Sequence, residues 1–193
     1  INKVTLSVRQ EAREMSEAQR RVMKTQVLKF LEKKKTLDDE DATRGALKIL
    51  GFLELPETQD DLVAFLSNKH LPLVRMEAAT AMRFACAKGP SKKSLRKLMD
   101  LLEDENVHVA RGARDSLTVL KIGVEFADEL AELCASKDAA VSLWAIGHLG
   151  ELAISQKGAA GKLAAKTLLP VARSKDRARA EAAAKIVVAL EGG

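Results

Sequence analysis

The sequence predicts an all-α fold, a right-handed α-α superhelix (solenoid) of about five stacked helical hairpins. A small apolar residue followed four positions later by alanine recurs five times at intervals of 32 to 37 residues, at Ala42/Ala46, Val74/Ala78, Val109/Ala113, Val141/Ala145 and Ala178/Ala182. A period of this length indicates stacked repeats rather than one globular core. The strong helix formers Ala, Leu, Lys, Glu and Arg dominate the composition. Past residue 10, no run of β-branched and aromatic residues has the pattern of a strand.

Residues 1–16 form a lead-in segment whose pattern leaves strand, helix and disorder open. Val4, Leu6 and Val8 alternate with polar residues as in a short strand, whereas the residues that follow have helical spacing. The chain begins with Ile1 rather than Met, so we expect it to be a piece of a longer protein or a processed one.

The first repeat is predicted over residues 17–55. Ser16 and Gln19 have the spacing of a capping box, which places the start of the first helix directly after Ser16. The basic run Lys33–Lys35 suits the negative C-terminal end of that helix, and the acidic run Asp38–Glu40 suits the positive start of the second helix. The repeat is therefore expected to be a hairpin of two helices.

Four further hairpins follow, so that the array extends over residues 17–193. Each has leucines on its first helix, a short polar turn, and a second helix that carries the small-apolar/alanine pair. In the second repeat, Pro72 lies at the start of the second helix, and Gly89 with Pro90 closes the unit. The predicted boundaries are 56–89, 90–124, 125–157 and 158–193.

The repeated block consists of LxxLL, a short turn with Asp, and VRxxAxxAL. It is clearest in LVAFLSNKHLPLVRMEAATAM and recurs in LMDLLEDENVHVARGARDSL and LAELCASKDAAVSLWAIGHL. Over residues 17–191 this block resembles the HEAT-repeat family, in which the second helices line a concave surface. The family's arginine after the valine is present as Arg75 and Arg179. Because Thr43, Ala110 and Ser142 stand at the matching positions of the other repeats, the family's stacked Asp–Arg ladder would be partial here.

Composition and charge exclude several classes of protein. The net charge of +5 is mildly basic, which is less than the dense charge of a dedicated nucleic-acid binder. Cys86 and Cys134 lie on helical apolar stripes, without metal or redox spacing, so we interpret them as core residues of an intracellular, cytoplasmic protein. No stretch has the length of a membrane span or the pattern of a signal peptide. We expect no cofactor and no metal.

The resemblance implies a surface for a partner on the second helices. The positions expected to face outward carry charges of both signs, which suits a protein or peptide better than a phosphate backbone. The candidate partner-binding residues on this concave face are Arg44, Lys48, Glu77, Thr80, Arg83, Arg111, Arg114, Asp115, Trp144 and Glu151. The sequence therefore predicts a non-catalytic scaffold that binds a protein or peptide in the concave groove.

Trp144 stands out among these candidates. The matching positions of the other repeats are Gly45, Glu77, Gly112 and Glu181. Such residues indicate that the position is exposed, which predicts an anchoring role for Trp144 in an interface. The alternative is that the indole fills a gap left by Gly112, Gly147 or Gly150.

Two other functions remain open. Basic residues cluster within residues 20–35, 88–97 and 157–179, and a nucleic-acid stripe of this kind would resemble the HEAT-like alkylpurine DNA glycosylases. Those enzymes use aromatic residues and a catalytic carboxylate, for which only Trp144 with Asp115 or Glu151 could serve here. No His-Glu dipeptide, phosphate loop, nucleophile elbow or zinc spacing is present, so we expect no enzyme and no catalytic residue. The remaining alternative is a structural spacer of a larger protein.

The last predicted helix is apolar around most of its circumference. Such a helix is normally buried on both sides. We therefore expect its outer face, centred on Ala184, Val187 and Val188, to be covered by further repeats or by a second copy of the chain.

Overall fold

The computed structural model describes residues 3–33, 38–120, 122–136, 138–155 and 158–191. These residues form α-helices joined by turns and two short 3₁₀-helices, without any strand, so the all-α prediction is confirmed. The helices are α1 (Lys3–Glu14), α2 (Glu17–Leu31), α3 (Glu40–Phe52), α4 (Thr58–Ala64), α5 (Pro72–Ala85), α6 (Lys92–Asp100), α7 (Val107–Leu117), α8 (Ala127–Cys134), α9 (Ala139–Ser155), α10 (Ala159–Ala172) and α11 (Arg177–Glu191). The 3₁₀-helices are Leu101–Glu103 and Val124–Phe126.

The chain forms two compact units, residues 1–121 and residues 122–193. In the first unit, the second helices α3, α5 and α7 pack side by side, and the first helices α2, α4 and α6 pack against them. In the second unit, α9 packs against α11 in the same way, and α8 and α10 lie against them. Both units are therefore built from helical hairpins of the solenoid type. The repeat boundaries stay predictions.

Residues 3–14 of the lead-in segment form a helix. Within α1, Ser7 donates a hydrogen bond to Glu11 and Gln10 donates one to Glu14, each at 2.9 Å, which is the spacing of one helical turn. Ala12 is only 3% exposed because α1 packs on α3. The alternation that suggested a strand was therefore overridden by helical periodicity and by this tertiary contact.

Local capping sets where α2 and α3 begin. The capping box is present: the Ser16 amide donates to the side chain of Gln19 at 2.8 Å, and the Gln19 amide donates to the Ser16 hydroxyl at 3.3 Å. Asp39 caps α3 by accepting from the amide of Ala42 at 3.0 Å. Of the basic run predicted at the end of α2, Lys34 and Lys35 lie outside the described residues.

Glycines let neighbouring second helices approach closely. A Cβ on Gly51 of α3 would lie 2.8 Å from the carbonyl oxygen and 2.9 Å from the Cβ of Ala81 on α5. A Cβ on Gly112 of α7 would meet Met76 at 3.2 Å, and one on Gly150 of α9 would meet the side chain of Ile186 at 2.7 Å. Larger residues at these positions would push the helices apart.

The two arginines that follow the small apolar residue connect adjacent hairpins. The Arg75 guanidinium pairs with Asp104 in the turn of the next hairpin, and the two side chains are only 12% and 9% exposed. Arg179 points the other way, donating to the carbonyl oxygen of Ser136 in the preceding turn at 2.5 Å while it pairs with Asp176 at 3.2 Å. In both places an arginine bridges two turns.

The two cysteines are buried core residues, and they should be chemically inert. Burial raises the pKa of Cys86 to about 12 and that of Cys134 to about 11. Since the thiolate is the reactive form, we expect neither thiol of the folded protein to react with an aromatic disulfide reagent at about pH 8. Both should react once guanidinium chloride unfolds the chain. Rapid labelling of the folded protein would contradict this prediction.

The raised pKa values of the two thiols make the free energy of unfolding depend on pH. The unfolded thiols ionise near their usual pKa, whereas the folded thiols stay protonated up to about pH 11 to 12. The contribution of Cys86 and Cys134 to the free energy of unfolding is therefore complete below the unfolded pKa and decreases as the pH rises through that window.

Candidate functional site

The structure spreads the ten candidate residues over three levels of exposure. The exposed ones are Arg111, Asp115 and Glu151; the half-buried ones are Arg44, Lys48, Thr80, Arg83, Arg114 and Trp144; and the buried one is Glu77. Eight of them lie on α3, α5 and α7 of the first unit, and Trp144 and Glu151 lie on α9 of the second.

The prediction that Glu77 faces a partner is wrong. Its side chain is 7% exposed, and its carboxylate lies 3.5 Å from the Nζ of Lys48 on the neighbouring helix α3. Because α3 and α5 pack side by side, the position that would face outward on an isolated helix lies at their contact. Glu77 therefore connects two second helices through Lys48, whose own side chain is 38% exposed.

The charged face of α7 is an accessible polar surface of the first unit. Arg111 lies 3.9 Å from Asp115, and their side chains are 71% and 62% exposed. The side chain of Arg114 has no hydrogen-bond or ion-pair partner in the part of the chain that the structure describes. In contrast, Thr80 is occupied locally, since its hydroxyl donates to the carbonyl oxygen of Met76 at 2.9 Å.

Arg44 on α3 is partly committed to its own helix. Its guanidinium lies 3.2 Å from Asp41 and 3.9 Å from Glu40, both in the first turn of α3. Pairs of this kind at helical spacing contribute little stability at a surface, so Arg44 can exchange them for a partner's carboxylate.

Trp144 stacks on His148 one turn later in α9. The ring centroids are 5.5 Å apart and the planes meet at 21°. The Nδ1 of His148 lies 3.6 Å from a carboxylate oxygen of Glu151. Burial lowers the pKa of His148, while Glu151 and the backbone at Ile122 oppose that shift. The indole of Trp144 is therefore stacked on a neutral imidazole near neutral pH.

The glycines named for the alternative role of Trp144 lie beside other side chains or beside open space. The space beside Gly150 is taken by Ile186, and the space beside Gly112 by Met76 and Thr80. Nothing lies within 4 Å of the position where a Cβ on Gly147 would be. The surface next to Trp144 therefore remains open, and Leu143 beside it is 43% exposed.

Many basic side chains of the first helices are paired with carboxylates of the neighbouring first helix. Arg21 pairs with Glu57 at 2.9 Å, and Lys24 pairs with Asp61 at 2.9 Å. The hydrogen bond from Arg21 lowers the pKa of Glu57. Lys93 pairs with Asp60 at 2.7 Å from the other side. These contacts partly neutralise the first two basic stretches as candidate phosphate-binding surfaces.

Two arginines of the third basic stretch, residues 157–179, are also bound to groups of the chain itself. Arg177 pairs with Glu181 at 2.7 Å, and Arg179 is held by the turn of the preceding hairpin. Lys157, predicted as part of this stretch, lies outside the described residues.

Among the described residues, no three His, Cys, Asp or Glu side chains come together in a way that could hold a metal ion. None of the described helices is both long enough and apolar enough to cross a membrane. His108 is exposed in the first turn of α7, and His70 lies against Phe65 with ring centroids 4.8 Å apart. Of the described histidines, His148 has a carboxylate nearby, that of Glu151 at 3.6 Å.

The outer face of α11 carries apolar side chains. Val188 is 67% exposed, and Ala184 and Val187 are partly exposed. Ala183 is fully buried, and Ile186 packs over Gly150. That further repeats or a second copy of the chain cover this face stays a prediction.

Paired helices, a row of second helices and turns bridged by arginine define a helical repeat protein. Residues 27–118 match the family model of HEAT repeats. The match thus bears out the HEAT-repeat assignment for residues 27–118, slightly less than half of the chain. The two hairpins of the second unit have the same architecture but lie beyond the matched residues.

A solved structure supports the fold. The chain is similar to the crystal structure of an engineered protein from the Northeast Structural Genomics Consortium, with a TM-score of 0.51 and 18% sequence identity. The similarity covers 97% of this chain and 90% of that one. No curated protein sequence matches the chain. At this identity the likeness shows the fold alone.

Proposed function

We propose that this chain is a non-catalytic scaffold that binds a protein or peptide on the exposed face of its second helices. The observation that carries the proposal is Trp144, which lies flat on His148 beside the open surface of Gly147 and the exposed Leu143. Tryptophan is enriched among the residues that dominate binding energy in interfaces. A supported indole also loses little conformational freedom when a partner covers it.

The charged residues of the first unit form a polar surface of their own on α7. This surface carries both signs of charge, on Arg111, Arg114 and Asp115. Mixed charges suit the polar groups of a protein partner better than the uniform negative charge of a nucleic acid. The basic side chains that a nucleic acid would need are partly paired with carboxylates of neighbouring helices. These pairs favour protein binding over the nucleic-acid alternative. The proposal also includes the prediction that further repeats or a second copy of the chain cover the outer face of α11 at Val188.

Trp144→Ala should weaken binding of a partner peptide by about 30-fold or more, equivalent to about 2 kcal/mol. The probe is a peptide selected against the intact chain from a displayed library of helical peptides, and its affinity is measured by fluorescence anisotropy. Because the indole is only half-buried, the free energy of unfolding should fall by only about 1 kcal/mol.

The matched control is Ile154→Ala, which removes an apolar side chain that is 65% exposed on the same helix. We expect this variant to bind the peptide as the wild type does. A loss of about 3–5 kcal/mol of stability in Trp144→Ala would instead make the indole a core residue. Tight binding of a labelled DNA duplex that weakens steeply with salt would favour the nucleic-acid alternative.

A further inference from the structure

Helix α1 occupies part of the second-helix face of the first unit. It packs on α3, with Ala12 buried and with Ser7, Gln10, Glu11, Arg13 and Glu14 exposed. A two-residue connection, Met15 and Ser16, joins it to α2. Since the capping box holds the start of α2 by itself, α1 can turn about this connection while α2 stays intact.

One side chain of α2 fastens the end of α1 to the repeat array. The Arg20 guanidinium donates to the carbonyl oxygens of Arg13 and Met15, each at 3.2 Å, and to that of Leu53 at the end of α3 at 3.4 Å. A further polar contact is the ion pair of Arg13 with Glu54 at 3.5 Å, in which the Arg13 side chain is 51% exposed. An exposed pair of this kind adds little stability.

Beneath α1 lie two aromatic rings. Phe52 of α3 and Phe84 of α5 pack edge to face with centroids 5.0 Å apart, and Phe52 is 4% exposed. The guanidinium carbons of Arg9 on α1 and Arg83 on α5 each lie 4.5 Å from the centroid of Phe84. Two cations therefore share one aromatic ring.

This arrangement leaves one nitrogen of each guanidinium without an acceptor among the described residues. The Nε atoms of Arg9 and Arg83 are both buried, and neither has a hydrogen-bond partner among the described residues. A buried donor of a charged group that lacks an acceptor is destabilising. A helix that brought a carboxylate to the place of Arg9 would satisfy Arg83 and remove the second cation from the ring. Helix α1 is thus an imperfect occupant of this surface.

We propose that Phe52, Glu54, Arg83 and Phe84 form a helix-docking surface, and that α1 is its displaceable resident. The fitting occupant is an amphipathic helix of a partner protein that lays apolar side chains on the two phenylalanines and presents a carboxylate to Arg83. The inference rests on the proposed scaffold function, but it concerns the first unit and not the surface around Trp144. Partner binding would release α1.

Hydrogen exchange of the intact chain tests whether α1 is displaceable. In the wild type, α1 amides should exchange at least about 10-fold faster than those of α3, because few contacts hold α1. Arg20→Met should speed exchange in α1 further and leave α3 unchanged. Lys29→Met, at an exposed site on α2, removes the same charge and should have no effect. Exchange in α1 as slow as in α3 would overturn the proposal.

A charge change in the resident helix tests the chemistry of the occupant. Arg9→Glu should slow exchange in α1 relative to Arg9→Gln, since the carboxylate can pair with Arg83. Combining Arg9→Glu with Arg83→Gln should abolish that difference. Equal rates for Arg9→Glu and Arg9→Gln would overturn the requirement for a carboxylate.

Binding in trans completes the test. The probe is a stapled peptide of residues 3–14 with glutamate at the place of Arg9, added to the Arg20→Met chain. We expect it to bind at least about 10-fold more tightly than the same peptide with arginine. Equal binding of the two, or no binding of either, would overturn the docking surface, whereas the result with Trp144→Ala would still decide the proposed function independently.

Discussion

Gly51→Ala should lower the free energy of unfolding by about 1–3 kcal/mol, although it adds a single methyl group. The new Cβ would lie 2.8 Å from the carbonyl oxygen of Ala81 and 3.0 Å from its Cα. These are backbone atoms of α5, so no side chain can rotate away and the two helices must separate. Urea denaturation followed by circular dichroism measures the change.

The matched control on the same helix is Gly45→Ala. Nothing lies within 4 Å of the position of its Cβ, and Gly45 is exposed within α3. Alanine has the higher helix propensity, so this variant should gain up to about 1 kcal/mol. If both substitutions stabilised the protein, the close approach of α3 and α5 at Gly51 would be disproved.

Asp104→Ala should cost about 3 kcal/mol of stability, which is at the lower end for a buried ion pair. It removes the carboxylate that pairs with Arg75 and leaves the guanidinium without its partner in a site where the side chain is 12% exposed. It also removes the acceptor for the amide of Asn106, which donates to Asp104 at 2.9 Å at the start of the next helix. Thermal melts and urea titrations should agree on the loss.

A double-mutant cycle separates the pair from the two side chains. Arg75→Met combined with Asp104→Ala should be more stable than Asp104→Ala alone, because no unpaired charge then remains buried. Arg44→Met is the matched control, since Arg44 forms pairs only within the first turn of its own helix. Its cost should be below about 1 kcal/mol. Additive effects of Arg75→Met and Asp104→Ala would show that the bridge between the turns contributes nothing.

The repeat architecture and the helix starts could be predicted because their signals are local. Val74, Ala78, Val109, Ala113, Val141 and Ala145 are all 4% exposed or less, as the helical spacing of the small-apolar/alanine pair requires. The pairs at the two ends are less buried, with Ala178 exposed and Ala42 half-buried. A terminal repeat has fewer neighbours to cover it.

The candidate site was only partly predictable. Trp144 was identified because its column holds glycine and glutamate elsewhere, but whether it fills a gap depended on Ile186, which lies 36 positions after Gly150. The helical pattern of α5 placed Glu77 outside, whereas the neighbouring helix buries it. No local sequence pattern indicated the docking surface under α1, since Arg9 and Phe84 are 75 positions apart in the sequence.

By itself, the sequence determined the helices of the repeats and the caps of α2 and α3, because hydrophobic period and capping act over a few residues. Only the tertiary structure decided which outward positions remain exposed, which basic side chains are paired, and where α1 lies. Arg21 with Glu57 and Arg75 with Asp104 join residues about 30 positions apart. Such contacts depend on the distance and angle between packed helices, which no local pattern encodes.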